Sequence, residues 1–213
     1  MVEFFAFNDG MASLRYFDNK RVIYPLEKDV RYKNVLDFIV YCKGAFILKM
    51  FYDLVGKDSF FKIGNSYIDS FKNKNAEVSD FINTANSTLQ KNYDNFFHPW
   101  LNCTGFPVLS VNEITDTENE NKKIGLIIAQ THENDVYFNC KIHLLYEFDG
   151  KIYKKDVLLQ DLMMELKFEY DWIIVNDDFA ALCYVVYSKN LLQSILKAKK
   201  EGKVNDVNRN LIF

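Results

Sequence analysis

The stretch FIVYCKGAFILKMFYDLV, residues 38–55, decides the fold of the first half of the chain. Apolar residues occupy most of a helical wheel drawn for residues 37–55, which predicts a deeply buried helix. Gly44 lies inside this helix at a cost of about 1 kcal/mol relative to alanine, and we therefore expect it to permit close approach by another backbone or a ligand. Gly56 is expected to end the helix.

Downstream of this stretch the pattern stays helical for about fifty residues. Asp58 can cap a second helix and Ser79 a third, because short polar side chains accept hydrogen bonds from the free N–H groups of a first helical turn. Pro99 disturbs the last helix of this region, and Gly105 stops it before the apolar period changes. We therefore place a boundary near Gly105.

From Phe106 onward, short β-rich runs alternate with polar turns. The predicted strands are residues 108–111, 124–129, 136–148, 152–159, 172–175 and 181–187. Asp149-Gly150 is expected to join two of them as a two-residue hairpin turn. Ser188 can cap a final helix, and Gly202 lies just beyond its lysine-rich end. This spacing favours a small antiparallel β-sandwich followed by a short helical tail.

Composition limits the class of protein. A chain of 213 residues with 49% hydrophobic residues can bury a core, and its net charge of −3 with no basic, aromatic-interleaved run gives no support for nucleic-acid binding. No stretch approaches the roughly 18 consecutive apolar residues that a membrane helix needs, and the N-terminus does not resemble a signal peptide. We therefore expect a cytoplasmic protein with no membrane segment.

The four cysteines are widely spaced and form no CxxC pair, which favours reduced, mostly buried thiols over a disulfide framework or a zinc knuckle. They are Cys42, Cys103, Cys140 and Cys183.

The run Phe38–Ala45, which contains Tyr41-Cys42-Lys43-Gly44-Ala45, resembles the Tyr-x-Lys-Gly-Ala helix of the aminopeptidase N-like zinc exopeptidases, the gluzincin aminopeptidases. Tyr24-Pro25-Leu26 lies where that family commonly has His-Pro-Ile. Further similar phrases follow in the family's order: Leu54–Phe60, Asn75-Ala76 with Asp80-Phe81, Trp100 with Gly105–Val108, Trp172-Ile173 with Asn176, and Tyr184–Tyr187. The resemblance spans nearly the whole chain.

The match weakens towards the end of the chain. Family members usually carry a glycine, an arginine and an aspartate where this chain has Ala181, Tyr184 and Ser188. Cys140 and His143 likewise replace a usual tryptophan and proline. These departures indicate relaxed constraint or a divergent lineage.

The resemblance implies an α+β fold made of three parts. Residues 1–104 correspond to the mainly helical end of a thermolysin-like catalytic domain, and residues 105–187 correspond to the family's β-sandwich domain. Residues 188–213 correspond to the start of a C-terminal helical domain. Leu211-Ile212-Phe213 looks like the first turns of a further helix that is cut off.

In this family, two histidines of an HExxH helix and a later glutamate hold zinc, and the motif's glutamate acts as general base. The sequence contains no HExxH, and its three histidines, His98, His132 and His143, include no pair at i, i+4. We expect no metal bound by this chain alone. His98 is interpreted as an interfacial side chain, His132 as turn surface and His143 as a strand residue.

Tyr41 matches the family's catalytic tyrosine, and the resemblance implies that its phenol stabilises the oxyanion that forms on the scissile carbonyl. Most tyrosines only pack with their polar tip towards water or a partner, so the motif around Tyr41 carries this assignment. Lys43 is interpreted as a structural or exposed ammonium, with no catalytic role.

Two functions follow from the resemblance. The first is a partial zinc aminopeptidase, which in the parent enzyme removes N-terminal residues from peptides. In that case the chain is inactive alone, and an upstream catalytic segment carrying HExxH would be its partner in an assembled, peptide-binding enzyme. The alternative is a non-catalytic interaction or scaffold module derived from the aminopeptidase fold.

Overall fold

The computed structural model describes residues 38–119, 122–132 and 136–204, with side chains from Lys43 onward. Contacts divide the chain into two compact units, residues 1–105 and residues 106–213. The Tyr24-Pro25-Leu26 phrase and the apolar ending at residues 211–213 lie outside the described residues.

In the described part of the first unit, all regular secondary structure is helical. Its helices are α1 (Phe38–Val55), α2 (Lys57–Phe71), α3 (Val78–Leu89) and α4 (Asp94–Asn102). Gly56 separates α1 from α2 with a φ of 81°, a left-handed value that a glycine adopts without the steric cost of a Cβ atom. The prediction that Gly56 ends the first helix is confirmed.

Two predicted helix caps are wrong. The second helix begins at Lys57, so Asp58 lies inside its first turn instead of preceding it. The third begins at Val78, and the backbone N–H of Glu77 donates a hydrogen bond of 2.8 Å to Oδ2 of Asp80. A carboxylate three residues into the helix thus binds the residue that precedes it, and Ser79 has no capping role.

Phe51 lies at the centre of the first unit and is fully buried. Its ring centroid is 4.7 Å from that of Phe97 and 5.1 Å from that of Tyr93, and it also meets the rings of Phe60 and Phe81 edge-on at 6.4 Å. Tilted and edge-to-face arrangements are the favourable geometries for aromatic rings. One aromatic cluster therefore joins all four helices.

The second unit contains two sheets and a helix. Its strands are β1 (Val108–Thr115), β2 (Lys123–Thr131), β3 (Cys140–Phe148), β4 (Lys151–Leu159), β5 (Met163–Lys167), β6 (Trp172–Val175) and β7 (Tyr184–Tyr187). One sheet has the order β5-β2-β1-β7 and the other the order β4-β3-β6. All pairs are antiparallel except β1 with β7, which is parallel. Helices and sheets together confirm the predicted α+β class.

Two predicted strands begin later than expected, because side-chain hydrogen bonds hold the preceding backbone in a loop. The predicted strand 136–148 begins only at Cys140, because Phe138 donates its backbone N–H to the side chain of Gln130 instead of to a strand. The predicted strand 181–187 begins only at Tyr184, because Asn176 bonds both the N–H and the carbonyl of Ala181 in a loop. Strand β5 was missed because Met163–Lys167 contains no β-branched or aromatic residue, the residue types that indicate a strand in a sequence.

The predicted turn and final helix are confirmed. Asp149 and Gly150 both have positive φ, 49° and 70°, as a two-residue hairpin between β3 and β4 requires. Helix α5 (Lys189–Lys200) begins after Ser188, whose side chain accepts a hydrogen bond of 3.4 Å from the N–H of Leu191. Gly202 follows the helix with a φ of 73°.

No helix in the described part of the chain is long and apolar enough to cross a membrane.

Candidate functional site

The candidate catalytic residue Tyr41 lies in the first turn of α1, and its side chain falls outside the described residues. A helix turns by about 100° per residue, so Tyr41 shares one face of α1 with Gly44, Ala45 and Leu48. Lys43 lies about 200° away, on the opposite face. The surroundings of these two faces decide which side of the helix is available to a ligand.

The face opposite Tyr41 is the buried one. Lys43, Ile47 and Met50 are each 1% exposed or less. On the face of Tyr41, Leu48 is 42% exposed, and a Cβ atom added at Gly44 would meet nothing within 4 Å among the described residues. The prediction that α1 is deeply buried therefore holds for one face only. The close approach expected at Gly44 is made by no described residue.

Lys43 is the buried polar residue of α1. Its ammonium donates hydrogen bonds of 3.0 Å to the carbonyl of Cys103 and 3.1 Å to the carbonyl of Gly105. Burial lowers the pKa of Lys43 to about 8, because the charged form loses water that two carbonyls only partly replace. Lys43 is thus structural, and the exposed alternative is wrong. Its alignment with Ile47 and Met50, at i+4 and i+7, was a usable signal of burial.

The histidines do not come together. His98 is exposed on α4, and the ring centroid of His132 is 4.9 Å from that of Phe138. His143 lies in β3 with its Nε2 3.7 Å from Oδ1 of Asp156. In the described ranges, no group of three histidine, cysteine, aspartate or glutamate residues could hold a metal ion. These residues therefore do not fit a zinc centre.

The described thiols are free. Cys140 and Cys183 are buried in the second unit, and Cys103 is half-buried. Burial raises the pKa of Cys140 to about 12 and also raises the pKa of Cys183, since a thiolate in an apolar environment loses its hydration. Such thiols are poor nucleophiles and poor metal ligands.

The sequence of this chain is similar to those of known peptidases. Residues 7–100 match the model of the Peptidase family M1 domain. The chain is 30% identical over 198 residues to probable aminopeptidase 1 of Saccharolobus solfataricus, covering 89% of this chain and 24% of that protein. It is 26% identical over 212 residues to probable aminopeptidase 1 of Sulfurisphaera tokodaii, covering 95% of this chain and 26% of that protein. The chain thus spans about a quarter of the length of these relatives.

A solved structure shares the fold. The crystal structure of Legionella pneumophila aminopeptidase A in complex with aspartic acid matches 90% of this chain with a TM-score of 0.69, at 17% sequence identity and over 24% of that protein. The helices and two sheets described above are therefore those of an aminopeptidase fold.

Proposed function

We infer the function of this chain from the family to which it belongs, the aminopeptidase N-like M1 family, of whose fold it covers a part. We propose that it supplies the oxyanion-stabilising tyrosine, Tyr41, to a zinc aminopeptidase that removes N-terminal residues from peptides. The zinc ligands and the general base of HExxH would come from an upstream polypeptide segment. The chain alone would then be inactive.

One observation carries the proposal: from Tyr41 to Leu48, the described residues leave this face of α1 open, and Leu48 is 42% exposed. Behind it, Lys43 is fixed by the carbonyls of Cys103 and Gly105, and Ile47 and Met50 are packed in the core. A helix held in this way cannot rotate about its axis without breaking two hydrogen bonds and exposing apolar side chains. The open face therefore has a fixed orientation.

A phenol suits the proposed task because it donates one hydrogen bond and is neutral at ordinary pH. When water attacks a peptide carbonyl, negative charge develops on the carbonyl oxygen, and a fixed O–H donor stabilises that charge more than it stabilises the substrate. Removing one such donor typically reduces turnover by roughly 100- to 1000-fold, about 3 to 4 kcal/mol.

The test is to express this chain together with the polypeptide encoded directly upstream, provided that it carries HExxH, and to measure release of N-terminal residues from aminoacyl p-nitroanilides. Tyr41→Phe is expected to lower kcat by roughly 100-fold or more, with little change in KM, because only a hydroxyl that acts in the transition state is lost.

Tyr52→Phe is the matched control. Tyr52 lies eleven residues later on the same face of α1 and packs against Phe60, with ring centroids 5.4 Å apart. The same hydroxyl is removed from the same helix about 16 Å away, so turnover should stay within a factor of two. Turnover of Tyr41→Phe within a factor of two of the parent would disprove the proposed role.

We also propose a cytoplasmic location. Support comes from the free thiols of Cys103, Cys140 and Cys183, since reducing compartments preserve free cysteines. Detection of the chain in a secreted fraction, with cell lysis excluded, would contradict this.

A further inference from the structure

An aromatic cleft of about 470 Å³ opens at one edge of the second unit. It is lined by Tyr146, Phe148, Tyr153, Phe168 and Glu169. The rings of Tyr146 and Tyr153 stack with centroids 5.4 Å apart and planes inclined by 21°, and Phe168 lies 4.8 Å from Tyr146. Aromatic rings that line a cleft form a surface that accepts another flat apolar side chain.

The outer wall of this cleft is strand β4, which alternates lysine and tyrosine on the cleft side. The β3–β4 register pairs Lys155 with Leu144, Tyr153 with Tyr146, and Lys151 with Phe148. Because successive residues of a strand point to opposite faces, Lys151, Tyr153 and Lys155 lie on the same face as the aromatic lining. The tyrosine is thus flanked by a lysine two residues away on each side.

Strand β4 is the outermost strand of its sheet in the part of the chain that the structure describes. All side chains from Lys151 to Asp156 are exposed. An edge strand presents N–H and carbonyl groups to solvent, and an extended peptide binds such an edge by forming the next strand. Here the edge lies directly beside an aromatic cleft.

The charges at the cleft favour an acidic occupant. The ammonium of Lys155 lies 4.8 Å from the ring centroid of Phe168, and Lys151 has no ion pair among the described residues. The carboxylate of Glu169 is already paired with Lys122 at 2.7 Å. A cationic ligand would therefore meet two lysines and a neutralised acid, whereas carboxylates would find two available ammonium groups.

We propose that β4 and the aromatic cleft bind an extended peptide segment of a partner protein with the pattern acid-x-aromatic-x-acid. In an added strand, residues i, i+2 and i+4 share one face. The central aromatic side chain then packs against Tyr153 and Phe168, and the two acids face Lys151 and Lys155. This surface belongs to the second unit and does not depend on the peptidase proposal.

The test titrates the full chain, labelled with nitrogen-15, with three acetylated and amidated peptides of the sequences TDTFTDT, TTDFDTT and TKTFTKT. The first places both acids on the same face as phenylalanine, the second places them on the opposite face, and the third reverses their charge. We expect TDTFTDT to bind roughly tenfold more tightly than either of the others and to shift the amide signals of residues 151–156.

Reversing the charge of the two lysines tests whether they select the peptide. The double substitution Lys151→Glu and Lys155→Glu should make TKTFTKT the preferred peptide. The matched control, Lys57→Glu and Lys62→Glu on the exposed surface of α2, applies the same change of charge elsewhere and should leave the preference unchanged. If the double variant does not melt cooperatively, Lys155→Gln alone should still reduce binding of TDTFTDT.

Equal affinity for the three peptides, or signal changes that avoid β4, would overturn the proposal. A thymidine dodecamer is titrated in parallel, because stacked aromatic rings beside lysines also suit single-stranded nucleic acid. Tighter binding of this oligonucleotide than of TDTFTDT, with shifts at the same residues, would replace the peptide by nucleic acid and equally overturn the proposal.

Discussion

The ammonium of Lys43 donates a hydrogen bond of 3.1 Å to the carbonyl of Gly105, a residue 62 positions later in the chain. A second bond of 3.0 Å joins the same ammonium to the carbonyl of Cys103. Two backbone acceptors at the end of the first unit thus fix the buried face of α1, which runs through Ile47 and Met50. The contacts that position α1 are therefore made on the face opposite Tyr41.

The pKa of Lys43 predicts a pH-dependent stability. The folded chain releases this proton near pH 8, whereas an unfolded lysine keeps it until about pH 10.5, so Lys43 makes the folded state more stable as the pH rises through this range. Compared with Lys43→Met, the free energy of unfolding of the parent should increase by about 2 kcal/mol between about pH 7.5 and 9.5. Urea unfolding of both proteins at each pH measures this difference.

The comparison with Lys43→Met is needed because other groups lower the stability of the chain as the pH rises. The pKa values of Cys140 and Cys183 are raised by burial, so the unfolded thiols ionise first and stability falls as the pH rises above about 9. Both proteins share this loss. A parent-minus-variant difference that stays constant with pH would show that Lys43 does not titrate in this range.

Cys140 and Cys183 should resist alkylation in the folded chain. Both are buried and their thiolates are disfavoured, while the reactive species towards iodoacetamide is the thiolate. At pH 8, peptide mass spectrometry should find Cys103 modified well before either of them. In urea all three should react at similar rates, which serves as the control. Rapid modification of Cys140 without urea would contradict the packing of the second unit.

Ser188→Ala should destabilise the second unit by about 1 kcal/mol, because the side chain of Ser188 caps α5 by accepting the N–H of Leu191 and also contacts the carboxylate of Glu113. Ser194→Ala is the control, since Ser194 lies inside α5 and bonds the carbonyl of Leu191. Alanine is the better helix former at such a position, so stability should be unchanged or slightly increased. Thermal melts of both variants make the comparison, and equal effects would exclude a capping role.

Gly125→Ala should destabilise the sheet that contains β5. A Cβ atom at Gly125 would lie 2.4 Å from the carbonyl oxygen of Leu166, so either β2 or β5 must move, with a cost of about 1 to 3 kcal/mol. Gly64→Ala is the contrasting change, because its Cβ atom would meet nothing within 4 Å in the middle of α2 and should stabilise that helix by up to about 1 kcal/mol. Opposite signs in thermal unfolding are expected, and a neutral Gly125→Ala would contradict the β2–β5 pairing.

The sequence predicted local structure wherever a short-range pattern carries the physical cause. The apolar period of residues 38–55 predicted α1. The Asp149-Gly150 pair predicted the β3–β4 turn, and Ser188 predicted the start of α5. The two wrong caps show where short-range patterns are not sufficient. Ser79 and Glu77 both stand near the start of α3, and the hydrogen bond to Asp80 selects between them.

For the candidate site, the sequence supplied the motif around Tyr41, because the spacing of Tyr41 to Lys43 and Gly44 is local. The catalytic role of Tyr41 stays a prediction. The exposure of Leu48 among the described residues could not be predicted, since periodicity showed only that most of α1 is apolar. Leu48 and Ile47 are equally apolar in sequence, yet one is 42% and the other 1% exposed.

The sequence by itself determined the helices, the β-rich half, the hairpin turn and the motif that carries Tyr41, because each depends on residues within a few positions of one another. Only the tertiary structure decided the bonds of Lys43 to residues 60 and 62 positions away, the parallel pairing of β1 with β7, and the position of Lys155 over the ring of Phe168. These relationships depend on which distant segments pack together, and that choice minimises exposed apolar surface and unpaired polar groups over a whole unit.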